Sequence, residues 1–236
     1  SPLRRITALI KRLAIGRTLV YLKKNGLRAT VYRVLKGAGP MPVDKRKLKK
    51  IAEDYYISAQ RREQEENAQF PKDIKFSVLV PLYNTPESFL KAMIESVQAQ
   101  TYKNWELCLA DGSDSEHSFV GEICKKYADG DRRIKYEKLE RNLGISENTN
   151  ACIRMATGEY IALFDHDDLL HPSALYEVMR AICEHGADFI YTDENTFSEE
   201  PCDAYNPHFK PDFSPDTLRS YNYICHLSAF SRELLD

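Results

Sequence analysis

Apolar residues recur along this 236-residue chain with two different periods. Over residues 3–36 they fall at helical spacing: Leu3, Ile6, Leu9, Ile10 and Leu13, then, past Gly16, Val20, Leu27, Val31, Val34 and Leu35. Arg and Lys fill much of the rest, so the pattern predicts two basic amphipathic helices. Gly37-Ala38-Gly39-Pro40-Met41-Pro42 reads as a linker. A third helix, capped by Asp44, is expected to run to about Gln69. From Gln60 onward it is almost wholly polar, which predicts a solvated spacer ended by Pro71. A boundary near residue 72 separates this helical extension, residues 1–71, from residues 72–236.

Beyond it the pattern alternates between strand and helix. Phe76–Leu82, Trp105–Ala110, Arg133–Leu139, Tyr160–Phe164 and Asp188–Thr192 read as strands. Between them lie helices over Pro86–Gln100, with Phe89, Leu90, Met93, Ile94 and Val97 on one face, from Phe119 to near Gly130, over Ser146–Ala156, and from Pro172 to Gly186. This order predicts an α/β fold: an open, mostly parallel sheet with helices on both faces, preceded by the α-helical extension. In such sheets ligands bind beyond the carboxyl ends of the strands.

Charge sharpens the division. Residues 1–50 hold 15 basic residues and one acid, Asp44, whereas the remainder holds 18 basic and 34 acidic residues. A basic arm on an acidic globule predicts an anionic partner. An anionic membrane surface reached through residues 1–36 and packing on a neighbouring domain are the two expectations. Nucleic acid ranks below both, because the arm has only Tyr21 and Tyr32 as aromatics and no nucleic-acid motif. No apolar run approaches the ~20 residues of a membrane span. Lys11, Arg12 and Arg17 interrupt the start too often for a signal peptide. The six scattered cysteines, with no C-x-x-C, read as reduced buried thiols of a cytosolic protein.

The chemistry concentrates at the strand ends. The fourth strand runs into Asp165-His166-Asp167-Asp168. Negative charge so dense at a sheet edge must be solvated, paired or bound to a cation. Oxygen ligands suit Mg2+ or Mn2+ acting with substrate phosphates. The other loops are polar too: Pro81 to Pro86, Ala110 to Asp114, Arg141 to Gly144, and Thr192 to Asn195. A dinucleotide G-x-G-x-x-G, a P-loop and a G-x-S-x-G elbow are all missing. The remaining candidate chemistry is a carboxylate-held cation beside a pocket for base and ribose.

Residues 76–168 resemble the nucleotide-sugar-binding half of a family 2 glycosyltransferase of the GT-A fold. The resemblance rests on Val80 to Asn84, on Ser96 to Tyr102 (S-x-x-x-Q-T-Y), on Ala110-Asp111-Gly112-Ser113, on Asn142 to Gly144, and on Gly158 to Asp168. It extends over roughly residues 74–236. It implies that Tyr83 and Asp111 contact base or ribose, with Pro81 and Asn84 shaping their loop. Asn142, Gly144 and Asn150 should border the nucleotide pocket. Asp165 should approach the ribose or the metal's water shell. Asp167 should bind the Mn2+ or Mg2+, with Asp168 close by; a helix cap is the other reading of Asp167. The pattern's first acidic position is Ala110 here, which leaves Asp111 as the nucleotide contact.

The tail from Phe209 to His226 resembles a subgroup acting on bacterial surface polysaccharides, which makes Lys210 a candidate phosphate contact and His226 a candidate donor or acceptor contact. Inverting members place a catalytic carboxylate well downstream, in an E-D or Q-D pair. No clear counterpart precedes Asp236, so a fragment cut within the acceptor half is expected, with Asp193 and Glu194 as candidate bases. The implied activity is metal-dependent, inverting transfer from a nucleoside-diphosphate sugar to a bacterial glycan or lipid-linked acceptor at the cytoplasmic face of the membrane. The alternatives are a non-catalytic nucleotide-sugar-binding scaffold and a sugar-phosphate nucleotidyltransferase.

Overall fold

The computed structural model describes residues 55–197, 201 and 206–235. The two basic helices, the linker and the Asp44 cap lie outside the described residues. Residues 49–236 form one compact unit.

Its centre is a six-stranded sheet. The strands are β1 (Phe76–Leu82), β2 (Trp105–Asp111), β3 (Ile134–Lys138), β4 (Tyr160–Leu163), β5 (Phe189–Tyr191) and β6 (Ser228–Ser231). They lie in the order β3-β2-β1-β4-β6-β5. The first four are mutually parallel, and β6 runs antiparallel to both β4 and β5. The helices are α1 (Ala59–Glu66), α2 (Glu87–Gln98), α3 (Phe119–Gly130), α4 (Ile145–Met155), α5 (Ala174–His185) and α6 (Pro215–Ser220). Among the described residues no helix is long and apolar enough to cross a membrane.

Strand alternation decides which helix covers which face. Val78, Val80 and Leu82 of β1, with Leu107 and Leu109 of β2 and Ala162 of β4, join the larger core cluster beneath α2, α3 and α5. Leu79, Cys108, Ala110 and Ile161 point the other way, onto Ala151, Cys152 and Ala156 of α4 and its end. Small residues there let α4 lie close to the sheet. Ala110 is fully buried in this contact, which is why an acidic side chain would be costly at that position. Phe89, expected on the buried face of α2, is 51% exposed.

Two expectations are corrected. The polar segment around residues 60–69 is not a solvated spacer. Ser58 caps α1 by accepting from the Arg61 N–H, so a helix starts there. Glu65 is only 6% exposed; its carboxylate accepts from Ser173 Oγ at 2.9 Å, Thr101 Oγ1 at 2.8 Å and Arg61 Nε at 2.6 Å. A polar helix is thus docked through one satisfied buried charge, a contact that hydrophobic periodicity does not reveal. The second correction is β6, which separates β5 from β4. Its four residues, Ser-Ala-Phe-Ser, present no apolar run, and its pairing is wholly non-local.

The S-x-x-x-Q-T-Y segment holds the loop that follows the carboxylate cluster. Ser96 Oγ accepts from Leu170 N at 3.1 Å, and Gln100 Oε1 accepts from Leu175 N at 3.0 Å. Gln100 Nε2 donates to His171 O at 2.8 Å, and Thr101 N donates to Pro172 O at 2.9 Å. Tyr102 Oη is tied to Ile74 O at 2.7 Å. Contacts from Ser96, Gln100 and Thr101 thus satisfy backbone groups of the irregular Leu170–Pro172 segment and of the first turn of α5, which fixes the loop after the cluster.

Candidate active site

The carboxyl ends of β1, β2 and β3 open into a cleft of about 630 Å³ lined by Tyr83, Asp111, Gly112, Lys138, Arg141 and Asn142, among others. Asp111 lies at its floor, completely buried. Asp111 Oδ1 accepts from Ser113 N at 2.8 Å. Asp111 Oδ2 accepts from Tyr136 Oη at 2.9 Å and from Lys138 Nζ at 3.1 Å. Burial, and then the neighbouring Asp111 carboxylate, push the Tyr136 hydroxyl well above the usual tyrosine range, so it remains a donor. Lys138 Nζ also donates to Ser113 O at 2.6 Å. Tyr136 and Lys138 are two apart on β3 and therefore face the same side. The family pattern did not single them out; the period-2 spacing of β3 was their signal.

Two glycines permit this packing. A Cβ at Gly121 would stand 2.5 Å from Tyr136 Oη. A Cβ at Gly112 would stand 3.0 Å from both Asn142 Cα and Asn148 Nδ2. Neither position has room for a side chain without displacing a wall of the cleft.

The remaining nucleotide candidates divide. Tyr83 is 47% exposed and lines the cleft. Asn84, at φ 51°, fastens the β1 loop to the β2 loop: its Nδ2 donates to Asp114 Oδ2 at 2.8 Å, and its Oδ1 accepts from Asp114 N at 3.1 Å. Pro81 is buried inside β1, paired with Ala110. Asn142 lines the cleft, and its Oδ1 accepts from Gly144 N and Asn148 Nδ2, each at 2.9 Å. Gly144, at φ 87°, is the N-cap of α4. Asn150 is exposed, and its Nδ2 donates to Glu147 Oε1 at 3.4 Å. The asparagine that matters to the loop is Asn148, 2% exposed, whose Oδ1 also accepts from Leu143 N at 3.2 Å. Its signal was a polar residue on the buried stripe Asn148, Ala151, Cys152.

The carboxylate cluster lies beside this cleft, one strand further along. In the β4–β6 register Leu163 faces Ser228. Asp165 is two residues past Leu163, and His226 is two residues before Ser228. Antiparallel pairing therefore carries His226 to the same edge as the carboxylates. His226 Nδ1 lies 3.4 Å from Asp165 Oδ2. Ligand atoms of Asp165, Asp168 and His226 all fall within 4.8 Å of one another. Although Asp168 is solvent-accessible as a residue, its pKa is raised, first by desolvation and then by Asp167 and Asp165. Asp167, expected to lead the metal ligands, stands outside the converging group. Its alternative role as a helix cap is excluded, since α5 begins at Ala174 after Ser173. The donor set of two carboxylates and one imidazole suits a divalent cation.

Glu194 and Lys210 brace the same edge. Lys210's side chain is 1% exposed, with Nζ 3.0 Å from Glu194 Oε2. It also donates to Cys225 O at 2.9 Å and His226 O at 3.2 Å. A lysine so engaged is not free to grip a phosphate. Glu194 Oε1 meets His208 Nδ1 at 2.8 Å, while Oε2 also accepts from His226 N at 3.2 Å. Desolvation raises its pKa, yet His208 and Lys210 pull it lower on balance. Asp193 Oδ1 accepts from Lys210 N at 2.7 Å. Both candidate bases thus serve as struts in this structure.

The Glycosyl transferase family 2 model matches residues 77–236. The chain belongs to glycosyl transferase family 2. It is 47% identical over 162 residues to the uncharacterized protein y4gI of Sinorhizobium fredii, covering 67% of this chain and 17% of that protein. It is 30% identical over 174 residues to the O-antigen biosynthesis protein RfbC of Myxococcus xanthus, covering 73% of this chain and 13% of that protein. This family 2 chain therefore spans less than a fifth of either relative. Among solved structures, S. aureus TarS 1-349 overlays with 27% identity and a TM-score of 0.45, covering 50% of this chain and 35% of that one. The mannosyltransferase PcManGT of Pyrobaculum calidifontis, solved with GDP-Man and Mn2+, overlays with 16% identity and a TM-score of 0.48, covering 80% and 57%. The family 2 domain has the GT-A-like α/β architecture implied by its motifs, with one antiparallel strand inserted in the sheet.

Proposed function

We propose that this domain transfers a sugar, with inversion and with a divalent cation, from a nucleoside diphosphate to a bacterial glycan or lipid-linked acceptor. The observation that carries the reading is a cleft at the ends of β1–β3 adjoining three converging ligands at the ends of β4 and β6. Base and ribose would occupy the cleft, against Tyr83 and above the buried Asp111. Lys138 and Arg141 supply positive charge along its wall. The diphosphate would then cross the end of β1 toward Asp165 and Asp168. Those carboxylates would hold Mn2+ or Mg2+, which when bound offsets charge on the departing diphosphate oxygen. The chain's own part is to hold the donor in place and present the sugar at the edge of the sheet.

Calorimetry of the whole chain with UDP and GDP, with and without Mn2+, tests the reading. One nucleotide should bind more tightly with Mn2+, and Asp168→Asn should remove that increment. An undiminished increment in the variant rejects the cation assignment.

The struts made by Asp193 and Glu194 favour a second reading, a nucleotide-sugar-binding module without transfer. Release of labelled sugar from the bound donor, to water or to an added acceptor, separates the two. The charge of residues 1–36 supports a place on the cytoplasmic face of the membrane. Replacing Arg4, Arg5, Lys11 and Arg12 by Ala should release the chain from anionic liposomes, and equal sedimentation in the variant refutes that placement.

A further inference from the structure

We infer that Phe209, Phe213 and Tyr221 form a stacking platform for an uncharged glycan, the acceptor in the transfer described above. The inference rests on that reading for the glycan's role and adds the surface that holds it.

Exposure on a fastened backbone is the first support. Phe213 is the most exposed large apolar side chain among the described residues, at 71%; Phe209, at 66%, and Tyr221 are exposed as well. All three lie between β5 and β6, on the stretch that carries α6. That stretch is tied down at several points. Lys210 N donates to Asp193 Oδ1 at 2.7 Å, Tyr191 Oη donates to Pro211 O at 2.6 Å, and Ser214 N donates to Tyr223 Oη at 2.9 Å. Pro211 and Pro215 restrict the chain on either side of Phe213. Tyr223, only 1% exposed, meets the rings of Tyr191 and Tyr221 edge-on, with centroids 5.7 and 6.2 Å apart. Aromatic rings presented from a fixed backbone lose little freedom when a ligand packs on them.

Place is the second support. In the strand order β3-β2-β1-β4-β6-β5, the nucleotide cleft lies at the ends of the first three strands and the carboxylates follow at β4. The ties of the aromatic stretch run to the far side of those carboxylates. Lys210, next to Phe209, reaches the carbonyl of His226 with its Nζ at 3.2 Å, and His226 Nδ1 lies 3.4 Å from Asp165 Oδ2. The platform thus starts one lysine side chain away from the edge where the donor sugar is presented, opposite the nucleotide.

Charge and chemistry select the occupant. Asp212 and Asp216 alternate with the rings, and both are exposed, as is Asp193. Arg219, 3.5 Å from Asp216, offsets one of them. Such a surface repels anionic lipid and nucleic acid. A wholly apolar partner would have to desolvate the carboxylates without pairing them. A pyranose meets both demands. Its C–H face packs on the electron-rich face of an aromatic ring, and its hydroxyls donate to carboxylates.

The experiment presents the whole chain to an array of purified neutral bacterial O-polysaccharides. Retained glycans are then studied by saturation-transfer NMR with irradiation of aromatic protons. Wild type should hold at least one glycan and pass saturation to its C–H protons. Phe209→Ala and Phe213→Ala should each weaken binding at least tenfold. Phe213→Trp should keep it, whereas Phe213→Leu, apolar but without a π face, should not. Circular dichroism and Mn2+-dependent binding of UDP or GDP should be unchanged in all four. Retention of no glycan, or equal retention by the alanine variants, would overturn the inference. Self-association, or binding to phosphatidylcholine vesicles, that the alanine variants lose would overturn it too, by giving the rings to a protein or lipid partner. Absence of nucleotide binding in wild type, with glycan binding intact, would reject the donor reading and leave the platform as a glycan-binding surface.

Discussion

Lys138 Nζ and Asp111 Oδ2 stand 3.1 Å apart at the cleft floor, on a carboxylate with no exposed surface. Tyr136 Oη shares the same oxygen at 2.9 Å. This arrangement needs Gly121, because a Cβ there would reach within 2.5 Å of that hydroxyl. Gly121→Ala should therefore lower stability by about 1–3 kcal/mol, the usual range for overpacking, and weaken nucleotide binding. In a Tyr136→Phe background the hydroxyl is gone and the nearest remaining ring atom is 3.5 Å away. The alanine should then cost less. Urea unfolding of the two singles and the double measures the coupling; additive costs would show that the contact is not the cause.

Acid stability should depend on Glu106, at the opposite end of the sheet. It is 1% exposed and accepts from Ser77 Oγ at 2.8 Å and Thr157 N at 2.6 Å, with Lys135 at 2.9 Å and Lys75 also paired to it. Burial raises its pKa, but Lys75, the Thr157 N–H, Lys135 and Ser77 outweigh burial and hold it at about 2, against an ordinary 4.5. A depressed carboxylate contributes stability above its unfolded pKa and loses it as pH falls through the folded value. The contribution, on the order of 3 kcal/mol, should vanish between about pH 4.5 and 2. Glu106→Gln should be less stable at neutral pH and flatter across that window in urea titrations. An unchanged slope would remove Glu106 as the cause.

Docking of α1 should hinge on Glu65. Glu65→Ala leaves the Thr101 and Ser173 hydroxyls without this acceptor and Arg61 without its closest carboxylate. The expected cost is about 2–4 kcal/mol, with charge-assisted hydrogen bonds lost at a buried site. Hydrogen exchange should quicken over residues 59–66 more than in β1. Uniform quickening across the sheet would mean that α1 is not a separable unit.

Much of the site was readable because it is local. β1 is found at Phe76–Leu82 as expected, and β2 and β4 begin where their apolar runs begin. Tyr83, Asp111 and Asn142 reach the cleft because each lies at the carboxyl end of a parallel strand or within a few residues beyond it. The roles of Asp193, Glu194 and Lys210 were not readable. An isolated acid or lysine carries no mark of the partner that neutralises it, and here those partners lie 14 to 17 residues away, between the β5 loop and the tail.

Hydrophobic period and motif order by themselves determined the parallel core of the sheet, the buried face of α2 apart from Phe89, and the edge on which chemistry gathers. Those features depend on the spacing of neighbouring residues. Tertiary structure alone decided the place of β6, the docking of α1, and which donors join Asp165. Asp167 is two residues from Asp165 in the chain, yet Asp168 and the distant His226 are the ones that converge with it. Turn geometry after β4 directs the first choice. The β4–β6 register directs the second, because antiparallel pairing sets side by side two ends that the chain holds 61 residues apart.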